Sequence, residues 1–415
     1  MDSGVRFAAR STVQQTGRAL VPLGFMFFFV GLSTAVVGPF VSLFLSTAVR
    51  ADPVRVAVFL VAGPLSMVVS STLIGWLSDR RSIRRTLLLT AASAGCAGSI
   101  LTAFVRDYWV LLALTVTVTA VSGALFPQAF AYAREVLQRR GSTRAAMSIS
   151  TLRMVFSIAW VAGPPVAALL VELGGFRLLY LTAALTYAVA AVVVLCWLDE
   201  VGPAPAPDAA APPVEPPMEA SRLSVLRVVA ALALLQGAGV LGIQAMPLFL
   251  GHVLHTDVSY AGLVLGLCAA LEIPLMLAFG ALSTKWPLRP LIVIGAGLGA
   301  LYYGLVTATT ASWQVAALQL LNAGLIAAVG GLSISYVQEL LPAQPGRAAT
   351  LAGNALPLSA IFAGPLLGVA AHFGYRTAYA FGAALCVAGL ALLLVSPRLA
   401  PAARPQSAAA FRRAH

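Results

Sequence analysis

The sequence predicts an all-α integral membrane protein with twelve transmembrane helices in two pseudo-symmetric six-helix bundles. Three observations carry this. Of 415 residues, 60% are hydrophobic and only 10% charged, against about a quarter charged in an ordinary soluble domain. Twelve apolar stretches are long enough to span a bilayer. The second half of the chain echoes the first.

The apolar stretches fall at 19–45, 54–78, 86–105, 109–133, 145–171, 176–198, 224–251, 257–283, 290–309, 312–337, 347–371 and 375–396. Gly and Pro recur inside them, as in Gly163-Pro164-Pro165 and Gly364-Pro365. Membrane helices tolerate these residues where soluble helices do not. Arg6, Arg10 and Arg18 precede the first stretch, which exceeds the short core of a signal peptide and reads as an uncleaved first helix.

The net charge of +12 raises nucleic acid as a partner, and its distribution argues against that. With the N-terminus placed in the cytoplasm, twenty of the 26 basic residues lie on that side. Five (Arg50, Arg55, Arg106, Arg177, Arg376) lie on the other, and Arg153 falls inside a span. This positive-inside bias predicts both termini cytoplasmic, with the lipid bilayer as the protein's surroundings. Lys285 is the only Lys, and this preference for Arg, with high Ala and Pro content, points to a high-GC bacterium and hence to a bacterial plasma (inner) membrane. Residues 199–222 hold seven prolines and five acidic residues and read as an extended cytoplasmic linker. The expected units are therefore a bundle over 1–198, the linker, a second bundle over 223–398, and a basic tail over 399–415.

The echo between the halves keeps a nearly constant spacing. Ala162-Gly163-Pro164 with Gly175-Phe176-Arg177 returns as Ala363-Gly364-Pro365 with Gly374-Tyr375-Arg376. Glu135 with Arg144-Ala145-Ala146 returns as Glu339 with Arg347-Ala348-Ala349, and Pro39 as Pro247, all at offsets of 199–208. Several matches in one order point to a duplicated six-helix unit.

Ionisable groups inside spans are costly, about 2.5–3.5 kcal/mol on insertion scales, and mark function. Arg153 in the fifth span and Glu272 in the eighth lie at similar depth, roughly 12–17 Å from the cytoplasmic side at 1.5 Å per residue. They read as a polar pair in a central cavity, with Glu272 able to take a proton. The plainer alternative is a structural ion pair. Arg153 shares a helical face with Ser150, Ser157 and Trp160, a set suited to a sugar's hydroxyl edges and apolar face. Gln128, Gln236, Gln244, Gln319, Asn322 and Asn354 add amides that can read hydroxyls or bond helix to helix. Cys96, Cys196, Cys268 and Cys386 are scattered through apolar runs and His252 and His255 stand alone in a loop. No metal site and no cofactor is expected.

Gly75-Trp76-Leu77-Ser78-Asp79-Arg80-Arg81 resembles the loop signature of the major facilitator superfamily. Phe126-Pro127-Gln128, Ala133-Arg134-Glu135, Arg153 with Ser157 and Ala159-Trp160, Leu271-Glu272-Ile273-Pro274, Leu318-Gln319-Leu320 with Asn322, Gln338-Glu339, Gly346-Arg347 and Asn354 resemble the bacterial sugar efflux transporters of that superfamily. Val155 and Ala245 stand where that family carries a Gln and an acid, which bears on the choice of substrate.

The resemblance implies a monomeric secondary transporter whose parallel halves rock about a midplane site. Its cargo would be a sugar or glycoside, exchanged for protons. Arg153, Trp160, Gln128, Gln244, Gln319, Asn322 and Asn354 would bind substrate and Glu272 the proton. Asp79, Arg80, Arg134, Glu135 and Glu339 would form the conformational gate. A multidrug or antibiotic exporter on the same fold is the alternative. A membrane-embedded enzyme is remote, since the sequence has no paired catalytic acids and no nucleophile motif.

Overall fold

A computed structural model describes residues 21–81, 83–139, 145–200, 220–342, 344–353 and 355–396. Among the described residues eleven helices are long and apolar enough to cross a membrane. One of them, Ala145–Trp197, is two helices: Gly174 leaves helical geometry and Gly175 takes φ 64°, a left-handed value that only glycine adopts without strain. The result is twelve helices: α1 Val21–Ala48, α2 Pro53–Arg80, α3 Arg84–Phe104, α4 Tyr108–Leu137, α5 145–173, α6 176–197, α7 Arg222–His252, α8 Val258–Ser283, α9 Leu288–Thr307, α10 Ser312–Leu340, α11 Leu351–Phe373 and α12 Arg376–Val395.

Local chemistry sets the helix starts. The Asp52 and Asp107 carboxylates accept from the backbone N–H groups of Arg55 (3.0 Å) and Val110 (2.9 Å), and Ser221 Oγ accepts from Ser224 N (3.2 Å). Pro39 interrupts α1, which runs as a 3-10 turn over Gly38–Phe40 and ends in a π-helical turn. Large apolar side chains such as Leu73, Leu173, Leu277, Trp313 and Phe373 are exposed, the pattern of a surface that meets lipid.

The duplication is visible in contacts as well as in sequence. Arg85, at the start of α3, donates to the last carbonyls of α6, Val194 (3.4 Å) and Leu195 (2.7 Å). Arg289, the equivalent residue of α9, donates to Leu393 (2.8 Å), Leu394 (3.1 Å) and Ser396 (2.7 Å) at the end of α12. In each half a cation closes the orphan carbonyls and opposes the negative helix end. The corner before the last helix also repeats, with Gly374 at φ 97° matching Gly175. Arg376 donates to Thr307 O at the end of α9 (2.6 Å), while Arg177 lies over the Phe104 ring at the end of α3 (4.4 Å).

The halves meet mainly at the end away from the linker, called here the far end. α5 packs on α8 and α2 on α11, with the broken part of α1 against α7. Both seams depend on glycines from the second half. A Cβ on Gly262 would collide with the Pro164 carbonyl and Ala168, and one on Gly266 would lie 2.8 Å from the Val161 carbonyl. On the other seam a Cβ on Gly364 would lie 2.8 Å from the Ala57 carbonyl, and one on Gly368 3.1 Å from the Pro53 carbonyl. Small residues here let backbones touch, which closes this end.

Candidate functional site

Arg153 sits on α5 with an exposed side chain, and its Nη2 donates to the Gly330 carbonyl of α10 at 3.3 Å. It therefore reaches from one half to the other across the space between them. Glu272 on α8 lies within electrostatic reach of Arg153, but no hydrogen bond joins the two. The polar pair read from the sequence is thus two nearby charges without a direct contact. Trp160, seven residues and about two turns further along α5, is half-buried beside Gly38 of α1. Ser157 is half-buried between them.

The amides do not form the single lining set that their positions along the chain suggest. Gln319 is fully buried: its Nε2 donates to Tyr302 Oη (3.0 Å) and Val315 O (3.3 Å), and its Oε1 accepts from Asn322 Nδ2 (3.1 Å). It holds Asn322 in place and presents no surface to the cavity. Asn322 Nδ2 also lies 3.4 Å from Cys268 Sγ, one turn before Glu272, and its Oδ1 has no partner. Gln128 is buried in α4 near Gly75 of α2, with its Oε1 unpartnered. Gln244 is engaged at the far end, where it bonds to Gly38 and Ser42 of α1. Asn354 lies outside the described residues. Among the described residues no group of three or more His, Cys, Asp or Glu could hold a metal ion.

The residues predicted to form the gate lie near the linker end. Glu135 Oε1 lies 2.9 Å from Arg84 Nη2, a buried ion pair between α4 and α3 with both side chains 10% exposed. The sequence grouped Glu135 with its neighbour Arg134, but consecutive helical residues point in different directions. Arg134 faces solvent while Glu135 faces inward. Arg80 stacks over the Trp76 ring at 3.7 Å, Glu339 is exposed on α10, and Asp79 is the penultimate residue of α2. Arg84 is the partner of Glu135 that sequence reasoning missed, since it looked like one more loop cation.

Removing one member of a buried pair leaves the other uncompensated, at a cost of about 3–5 kcal/mol. Glu135→Ala is therefore expected to lower the thermal midpoint of the purified protein markedly. Glu135→Ala with Arg84→Ala should cost less than the two changes summed. Equal melting of Glu135→Ala and the parent would show that the pair is not structural.

This arrangement of two six-helix halves, joined by close helix seams and carrying Arg153 and Glu272 inside their spans, matches known proteins along most of its length. The model of the Major Facilitator Superfamily matches residues 23–355 and 243–414. The chain belongs to this superfamily, in its bacterial sugar efflux transporter family. Sugar efflux transporter A of Dickeya chrysanthemi is 34% identical over 91% of this chain and 96% of its own. Sugar efflux transporter B of Salmonella typhimurium is 34% identical over 92% and 95%. Among solved structures, a mutant of the nucleoside transporter NupG superposes with a TM-score of 0.76 at 12% identity, over 92% of this chain and all of that one. A bacterial homologue of the human lysosomal transporter Spinster, inward-facing and occupied, superposes with a TM-score of 0.73 at 14% identity, over 93% and 99%. At these identities the structures speak for the fold alone. The chain is thus a multi-pass membrane transporter and not an enzyme.

Proposed function

We propose that this transporter exports sugars or glycosides across the bacterial plasma membrane by alternating access, in exchange for protons. The observation that carries the reading is Arg153, a guanidinium standing in the space between the halves with one donor on Gly330 O and the rest of its fork free for a ligand. Its fork suits hydroxyl oxygens, and the Trp160 indole two turns away suits the apolar face of a sugar ring. The names of the full-length relatives support the same cargo.

In this reading the linker end is cytoplasmic, so the closed far end faces outward and the cavity loads from inside. Sugar binds at Arg153 and Trp160, the seams at the far end part, and the sugar leaves. Glu272 then takes a proton from outside and returns it to the cytoplasm. The positive-inside bias supports this orientation. A reporter enzyme that works only in the cytoplasm should be active when fused after His415. Activity only of a periplasmic reporter at that position would reverse the orientation.

Cells that express the protein should release labelled sugars faster than cells without it, and dyes at the same rate. Faster loss of dyes with unchanged loss of sugars would replace the sugar reading with drug export. Glu272→Gln should abolish uphill efflux and preserve exchange of sugar for sugar, since the amide cannot shed a proton. Normal accumulation against a gradient by this variant would remove Glu272 from the coupling step.

A further inference from the structure

Gln244 fills a gap in a helix that belongs to the other half. Pro39 supplies no N–H, so α1 tightens to a 3-10 turn over Gly38–Phe40 and becomes α-helical again at Val41. In a regular α-helix the Gly38 carbonyl and the Ser42 N–H, four residues apart, would pair with each other. Here the Gln244 side chain from α7 stands between them. Its Nε2 donates to Gly38 O at 2.9 Å and its Oε1 accepts from Ser42 N at 3.3 Å. Ser42 Oγ adds a bond to the Gln244 carbonyl at 2.6 Å. A primary amide carries the same donor and acceptor as a peptide group, so the side chain stands in for a stretch of main chain.

The position of this contact gives it a task. Phe40, Ser42, Ala245 and Met246 around it are buried. On one side lies Gly38, against the Trp160 ring. On the other lies a small cavity at the far end, between the halves, with Ser42, Pro53, Leu248, Gly368 and Tyr375 in its wall. The contact separates the two.

We propose that Gln244 is the latch of the far-end exit, and that opening it lets Gly38 and Ser42 pair with each other so that the break in α1 heals. A buried backbone group left without a partner is expensive. This exchange leaves none in either state: when the halves part, the backbone groups find one another and the freed amide meets the water of the opened exit. Closing is thus specific to one side chain, and opening carries no penalty of orphaned backbone. The inference concerns the gate alone and is independent of the cargo and of which end faces the cytoplasm.

The test uses purified full-length protein in detergent, with the four native cysteines replaced and Leu248→Cys as the single thiol. Leu248 is 2% exposed in the closed end. A soluble maleimide should label this thiol at least about fivefold faster when Gln244→Leu removes the bonded amide. Ser42→Ala, which removes one of the three bonds, should accelerate labelling less, and it carries the test if Gln244→Leu fails to fold. Pro39→Ala restores an N–H and favours a regular α1, which should evict Gln244 and accelerate labelling with the glutamine still present. Parental rates in both Gln244→Leu and Ser42→Ala would overturn the latch. A parental rate in Pro39→Ala alone would overturn the exchange of partners. None of these outcomes depends on sugar export, so the gate and the cargo can fail separately.

Discussion

Arg153→Lys is expected to reach parental protein levels and to lose most sugar export. In the proposed transport cycle Arg153 has two tasks that need its shape as well as its charge. One donor ties α5 to the Gly330 carbonyl of α10, and the planar fork offers its remaining donors to the cavity. Lysine keeps the charge but concentrates it at one point on a flexible stem. Its three donors radiate from a single nitrogen, so while bonded to Gly330 it cannot present two parallel, spaced donors to neighbouring hydroxyls. A hydrogen bond to a charged group contributes about 1.5–3 kcal/mol, so losing one reduces export at low sugar by roughly tenfold or more. Arg153→Ala should be as poor or worse. The measurement is efflux of labelled sugar from cells matched for transporter content. Parental export by Arg153→Lys would mean that the site needs a positive charge and no particular geometry.

The sequence made Arg153 and Glu272 easy to find because ionisable groups in a span are rare, and rarity is a signal that survives without coordinates. The twelve helices were legible for a related reason: hydropathy and glycine placement are local properties, and the paired corners at Gly175 and Gly374 appear as an echo before their positive φ values are seen. The amides were not legible. Gln244, Gln319 and Asn322 carry the same donors and acceptors and sit in similar apolar surroundings. Yet one stitches the halves, one supports its neighbour, and one leaves an oxygen unpartnered beside Cys268. Their roles depend on which helix lies opposite, and a one-dimensional pattern does not contain that. Arg84 was hidden the same way: it reads as one of four arginines (Arg80, Arg81, Arg84, Arg85) in a loop cluster, yet it turns inward to Glu135. The spacing that put Arg153 and Glu272 at one depth was informative, but depth alone cannot separate touching charges from facing ones.

Gly262→Ala should abolish most export although it adds only one methyl group. In most helices such a change is mildly stabilising, because alanine is the better helix former by roughly 0.5–1 kcal/mol. At Gly262 the new carbon would run into the Pro164 carbonyl oxygen and the Ala168 side chain. The carbonyl belongs to the main chain beside Pro165, so it has little room to yield. Relief requires α8 to move away from α5, and that movement opens the far end. Overpacking of this kind costs about 1–3 kcal/mol, which shifts the balance between closed and open far end by about 5- to 150-fold. A carrier that loads from the linker end needs the far end shut while it loads, so the variant would be depleted of its loading state. Gly364→Ala should act in the same direction through the other seam, where the new carbon would lie 2.8 Å from the Ala57 carbonyl and against Val61. Gly280→Ala is the control. It lies on the same helix as Gly262, and a Cβ there meets nothing within 4 Å, so its export should equal that of the parent. Efflux of labelled sugar by the three variants at equal membrane abundance decides the matter. Gly262→Ala exporting as well as Gly280→Ala would mean that the α5–α8 seam is not what closes the far end during transport.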